Sequence, residues 1–141
     1  MSGDGYLHPV PEPTPDSKPY WDGLRAGKFM VQRCTACGTL RHYPRPLCNE
    51  CFSFDSEWST LSGRGIVHSW TVCHHAFLPV FKARLPYIVA IADLEGGVRT
   101  NLELSAPAEQ EIWIGMPVEI AYRVISDAVT LPVLIKARAD A

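Results

Sequence analysis

Apolar residues change their spacing along this chain, and the change divides it into unlike segments. Residues 1–15 place Pro9, Pro11, Pro13 and Pro15 in alternation, which excludes helix and central strand and predicts an extended arm. Asp16 or Ser17 then suits a helix N-cap, with Pro19 in the first turn and a stop at Gly27. Tyr20, Trp21 and Leu24 fall on adjacent faces of that short helix and can anchor it. Phe29–Arg33 reads as a short strand. Residues 34–58 lose the apolar periodicity and gain turn residues, with Pro44 and Pro46 bracketing Arg45. Past Gly63 the period becomes that of strands. Ile66–Cys73 is β-branched and aromatic, and Tyr87–Leu94 is a near-continuous apolar run that predicts a strand covered on both faces. Glu95-Gly96-Gly97 makes a hairpin into an alternating strand, Val98–Leu104. Pro107–Glu111 is a polar connection, Val118–Val124 alternates again, and Leu131–Ala137 supplies a fifth strand.

The segment without periodicity carries the chemistry. Cys34-Thr-Ala-Cys37 and Cys48-Asn-Glu-Cys51 are two CxxC pairs with ten residues between them. Each pair lets one tight turn present two sulfurs to one ion, and the short excursion brings the second turn opposite the first. Four thiolates in this spacing suit a structural zinc, although iron accepts the same geometry. Gly38, directly after Cys37, offers the positive φ such a turn needs, whereas Phe52 after Cys51 departs from that pattern. Four protein ligands leave no coordination position for water or substrate, so the metal folds this segment rather than performing chemistry. The remaining Cys73 reads as a small buried hydrophobe on a strand.

Together these segments predict a mainly β protein: an N-terminal helix, a four-cysteine zinc ribbon, then a five-stranded OB-type barrel. The boundaries are 1–15 for the arm, 16–58 for helix and ribbon, and 59–141 for the barrel. An immunoglobulin-type sandwich would need about seven strands. No run of 18 apolar residues and no signal-like opening is visible in the sequence, and reduced cysteines suit the cytosol, the expected compartment.

Charge narrows the function classes. The net charge of −2 gives no global attraction to nucleic acid. Residues 18–45 nonetheless hold six cations (Lys18, Arg25, Lys28, Arg33, Arg41, Arg45) against Asp22 alone, so a phosphate or an acidic partner stays open there. From residue 59 onward seven basic residues face eight acidic ones, which argues against a single-strand-binding barrel, the alternative function that zinc ribbon plus OB barrel suggests.

In series, several short motifs resemble one family. They are Pro19-Tyr-Trp-Asp-Gly-Leu-Arg-Ala-Gly27, Gln32-Arg-Cys34-x-x-Cys37-Gly38, Tyr43-Pro-Arg-Pro-Leu-Cys48, Ser62-Gly-Arg-Gly65, Ser69-Trp-Thr-Val72 followed by His74 or His75 and Phe77, and Ile114-Gly-Met-Pro-Val118. The chain is similar over about residues 19–124 to the OB-fold, zinc-ribbon family associated with acyl-CoA enzymes (domain of unknown function thirty-five). His75-Ala-Phe77 departs from it where a basic residue before the phenylalanine is expected, and Phe52 stands where a small residue is expected. The resemblance implies a chain without catalytic activity of its own that pairs with a thiolase-like (thiolase or retro-aldolase) subunit, often two-plus-two, and helps form the acyl-CoA channel.

No Ser/His/Asp order, paired carboxylate or P-loop accompanies the five histidines, and His68 and His74 are expected on one strand face with His75 on the other. His75 is retained as a substrate contact from the strand's end. Arg64, in Ser62-Gly63-Arg64-Gly65, can meet a phosphate or pantetheine amide of a coenzyme A thioester, though the glycines alone explain a bend there. Asn101 shares a strand face with Arg99 and is a third substrate candidate, on a face that otherwise reads as solvated. Phe77, Leu78 and Phe81 make an unusually apolar connection between strands and are assigned to a partner interface. Trp113 is divided between core and interface.

Overall fold

A computed structural model of the chain describes residues 9–105 and 111–138. Residues 1–8 of the expected arm and most of the 107–111 connection lie outside the described residues. Helix α1, Lys18–Arg25, begins after Ser17 with Pro19 in its first turn and gives way at Gly27. Ser17 occupies the N-cap without capping the helix through its side chain. Instead its Oγ accepts the Thr14 N–H at 2.9 Å, closing a turn that carries the arm into the helix. Tyr20 and Leu24 bury the helix's inner face against Phe29, and Trp21 packs at its margin.

Three strands form the ribbon sheet: β1 (Phe29–Cys34), β2 (Leu40–Arg41) and β3 (Ser56–Leu61), in the order β2-β1-β3. β3 crosses the expected 58/59 junction and pairs antiparallel with β1 along its whole length, from Phe29 opposite Leu61 to Cys34 opposite Ser56. Sequence periodicity did not reveal β2 or β3. Neither has a clean apolar face to signal it.

The barrel is built from β4 (Arg64–Cys73), β5 (Tyr87–Leu94), β6 (Arg99–Ser105), β7 (Pro117–Val124) and β8 (Thr130–Lys136). They close in the order β4-β5-β6-β8-β7, with β4 and β7 completing the ring and β6 and β8 as the parallel pair. This is the OB order, and the five strands fall where the alternation placed them, within a residue or two. Two details differ from expectation. A bulge between Val67 and Ser69 re-aims His68, so strict alternation no longer relates it to His74, which lies beyond the strand's end. β5 is also covered less than its apolar run implied. Ala90, Ala92 and Leu94 are buried toward the lumen, while Val89, Ile91 and Asp93 on the other face are half-buried.

Gly65 marks the tightest approach in the barrel. A Cβ there would sit 2.3 Å from the Asp93 carbonyl oxygen and 2.9 Å from Leu94 Cα, so β4 and β5 can close only over a hydrogen. One apolar core runs through both parts of the fold, from Tyr20, Leu24, Phe29 and Val31 to Val67, Met116, Val118 and Leu134. The short six-residue turn of 3₁₀ helix, Pro79–Arg84, fills the connection between β4 and β5.

Candidate functional site

The two cysteine turns are near copies of each other. The Gly38 N–H donates to Cys34 O at 2.9 Å, and the Phe52 N–H to Cys48 O at 3.1 Å. One residue further on, the Cys34 N–H donates to Thr39 O (2.9 Å) and the Cys48 N–H to Ser53 O (3.0 Å). Gly38 has φ 79°, and Phe52 adopts φ 62° without being glycine. The second turn thus takes the same left-handed geometry against its residue type. The four sulfurs lie within 4.8 Å of one another, with Cys34 and Cys51 at 3.5 Å and Cys37 and Cys48 at 3.6 Å. Thiolates about 2.3 Å from a tetrahedral zinc are about 3.8 Å apart, so the four cysteines can bind zinc.

The turns also prepare the sulfurs. The backbone N–H of Cys37 holds Cys34 below the usual thiol range, the Thr39 hydroxyl does so for Cys37, and the N–H of Cys51 for Cys48. The Ser53 N–H pulls Cys51 down too, but the neighbouring thiolates, Cys34 first, and burial outweigh it and push Cys51 up to about 12. Four adjacent thiols do not all ionise unaided; a divalent cation held by Cys34, Cys37, Cys48 and Cys51 would favour the thiolate form of all four.

Away from the cysteines, a groove of about 390 Å³ opens between helix, ribbon and barrel. Tyr20, Trp21 and Tyr43 form one wall, Phe81 and Arg84 a second, and Asn101, Leu102, Glu103, Arg123 and Leu131–Val133 the barrel side. Tyr43 ties ribbon to barrel, since its Oη accepts the Asn101 N–H at 3.0 Å. Glu103 pairs with both Arg84 and Arg123. Burial works against its charge, but the two guanidiniums, Arg123 first, outweigh burial and hold the carboxyl below the usual range.

The candidate residues occupy three separate places. Asn101 and Phe81 line this groove. Arg64 lines a different cleft of about 460 Å³ with Ile66, Asp93 and Pro117. His75 lines neither; it is exposed and meets the Phe77 ring edge-on at 4.9 Å. Phe77 is 91% exposed and Leu78 is exposed beside it, while Phe81 is half-buried with its ring 6.3 Å from Tyr87. Trp113 stays half-exposed under the Lys136 ammonium, 5.5 Å from the ring centre. Sequence reasoning did not single out Tyr43, Glu103 or Arg123, because their partners lie 19 or more residues away. His68, Asp93 and Arg99 form an exposed cluster, with Arg99 Nε 2.6 Å from Asp93 Oδ1 and His68 Nδ1 3.4 Å from Asp93 Oδ2.

Two family profiles cover most of the chain. One, described as the rubredoxin-like zinc ribbon domain of ChsH2, matches residues 21–57; the other, the C-terminal OB-fold domain of ChsH2, matches residues 58–123. A DUF35 domain-containing scaffold protein of Methanocaldococcus jannaschii is 34% identical over 96 residues, 67% of each chain. The chain belongs to the DUF35 family. A probable enoyl-CoA hydratase alpha subunit of Thermomonospora curvata is 38% identical over 127 residues, which is 90% of this DUF35 chain but 39% of that protein. The DUF35 chain therefore spans about two fifths of the length of that relative. Among solved structures, a chain of the Ltp2-ChsH2(DUF35) aldolase superposes with a TM-score of 0.80 at 36% identity, covering 90% of this chain and 98% of that one. Relatives of this DUF35 chain are thus named as alpha subunits or components of hydratase- and aldolase-type proteins. No helix among the described residues is long and apolar enough to cross a membrane.

Proposed function

We propose that this DUF35 chain is a non-catalytic accessory subunit that docks on a thiolase-like acyl-CoA enzyme, holding a structural zinc on Cys34, Cys37, Cys48 and Cys51. The observation that carries the reading is the near-complete superposition on a chain of the Ltp2-ChsH2(DUF35) aldolase. Two features of the chain support it. A four-thiolate site is closed to substrate. The exposed Phe77 and Leu78 beside His75 give an apolar prominence of the kind that anchors interfaces. In this reading Phe77, Leu78 and Phe81 meet the partner in a two-plus-two assembly, and Arg64, His75 and Asn101 contribute contacts to the bound coenzyme A thioester. The arm (1–15), the helix with ribbon (16–58) and the barrel (59–141) act as successive units, working in the cytoplasm.

The test is a tagged pull-down from native extract at moderate salt, with mass spectrometry of whatever elutes stoichiometrically. A thiolase-like subunit eluting one-to-one is expected. Its loss is expected from a Phe77→Ser/Leu78→Ser variant that keeps the wild-type melting temperature. Absence of a stoichiometric protein partner, or capture dominated by nucleic acid that salt removes, would overturn the proposal.

A further inference from the structure

The tip of the β5–β6 hairpin rests on the ribbon, so closely that a Cβ at Gly96 would lie 3.0 Å from Leu61 and 3.3 Å from Leu40. Beside this contact a cleft of about 200 Å³ runs along the seam, with Arg41, His42, Arg45 and Asn49 on the ribbon side and Gly97 and Arg99 on the barrel side. Three guanidiniums and no carboxylate line it. Asp93 offsets one of them, through its ion pair with Arg99.

Arg41 is the unusual member. It is only 3% exposed, and two of its nitrogens are fixed: Nε donates to Gln32 Oε1 at 2.9 Å and Nη2 to Arg45 O at 3.0 Å. The same Gln32 oxygen accepts the Arg45 N–H at 2.8 Å, which sets the turn carrying Arg45 to the cleft. The third nitrogen, Nη1, is buried and has no hydrogen-bond partner among the described residues, and the same holds for both ring nitrogens of His42. A buried guanidinium N–H is costly without an acceptor, and buried polar groups are nearly always paired. A rigid cationic fork with a spare donor, beside a second, exposed arginine, matches the fixed geometry of a tetrahedral oxyanion. Holding the donors in place beforehand removes part of the ordering cost of binding.

A zinc ion on four thiolates carries a formal charge of −2, and Asn49 adjoins Cys48, so these cations could serve only as counter-charges. Arg33 already faces that centre, with Nη1 donating to Gly38 O at 3.3 Å. Arg41 instead turns its fixed nitrogens toward Gln32 and the Arg45 carbonyl.

We infer that the ribbon–barrel seam is a binding site for a phosphoryl group, with Arg41 and Arg45 as its donors and Arg99 at its edge. The ligand is free phosphate or the phosphate end of a nucleotide-type molecule, and the site stands independently of any protein partner. It differs from the Arg64 cleft assigned above to substrate.

The experiment titrates the zinc-loaded full chain with inorganic phosphate and with adenosine 3′,5′-bisphosphate, at constant ionic strength against chloride, following backbone amide shifts. Saturable shifts at Arg45, Asn49 and Gly97 are expected with phosphoryl ligands and not with chloride. Arg45→Ala, whose side chain is exposed, should weaken binding about tenfold, the scale of one charge-assisted contact. Lys82→Ala, an exposed cation on the β4–β5 connection, should leave it unchanged. Equal affinity for both ligands identifies free phosphate as sufficient, and tighter binding of the bisphosphate identifies a nucleotide-type ligand; both support the site. Three results would overturn it: no saturable shift, loss of zinc retention in Arg45→Ala with anion binding unaltered, or a single-stranded oligonucleotide displacing phosphate at much lower concentration. A failed pull-down would not bear on this result, nor would this result decide the pull-down.

Discussion

His42 packs its ring against Tyr20 and Phe29, each 5.3 Å between centres, and against Tyr43 at 4.0 Å. Burial pushes its pKa down to about 4. An unfolded chain, with the ordinary histidine value of about 6.5, takes up the proton first as pH falls. The stability conferred by the neutral ring is therefore complete above about pH 6.5 and drains away as pH approaches 4. Within that window the slope should be about 1 kcal/mol per pH unit. Urea unfolding of the zinc-loaded chain in phosphate-free buffer at pH 7, 6 and 5.5 should show it, with zinc retention followed in parallel. His42→Leu should remove most of the slope; an unchanged slope would mean that His42 stays solvated. The position was opaque in the sequence because Arg41-His42 sits among prolines and reads as solvated turn. Phe52 stood out in the sequence as a departure from the glycine of the first turn, yet it takes that glycine's geometry. Two backbone hydrogen bonds close the second cysteine turn around its positive φ, and Phe is among the residues least suited to one.

At the level of elements, legibility followed the source of each element's stability. The barrel strands bury one face in a common lumen, so alternation exposes them: Val118 and Ile120 of β7 are buried while Glu119 is half-exposed. The helix was legible from its proline and glycine punctuation. β2 and β3 were not, since register with β1 and the cysteine turns hold them in place of an apolar face. Gly65 sets how near two strands can lie. Glycine there reads equally well as a flexible bend, and only the 2.3 Å approach to the Asp93 carbonyl identifies it as a packing constraint. Gly65→Ala should force β4 from β5 and cost about 2 kcal/mol, the scale of an overpacked core. Because Gly65 also opposes Val118 on β7, the seam that closes the ring would loosen as well. Chemical denaturation is the direct measure, and a change below about 0.5 kcal/mol, the usual range for surface substitutions, would refute the constraint.

For the molecule as a whole, the sharpest contrast lies between the metal site and the groove. The four cysteines were legible because two short turns contain them all, and spacing alone fixes their geometry. The groove draws on helix, ribbon, the β4–β5 connection and three barrel strands, so no local pattern announces it. The continuity of the core decides how the metal should matter. A ribbon of this size does not fold on burial alone, yet Phe29 and Val31 of β1 are packed in the same core as Val67 and Val118 of the barrel. Removing the ion should therefore lower one cooperative transition instead of detaching a separately melting unit. Calorimetry before and after treatment with a strong chelator should show a single peak displaced downward by ten degrees or more, on the order of a few kcal/mol for a domain of this size. Zinc added back should restore it, with proton release measurable in weak buffer, because at least the Cys51 thiol is protonated without an ion. Two separate peaks after chelation would show that helix and ribbon are energetically independent of the barrel. An unmoved peak would show that apolar packing around Tyr20, Leu24 and Phe29 suffices to hold the ribbon.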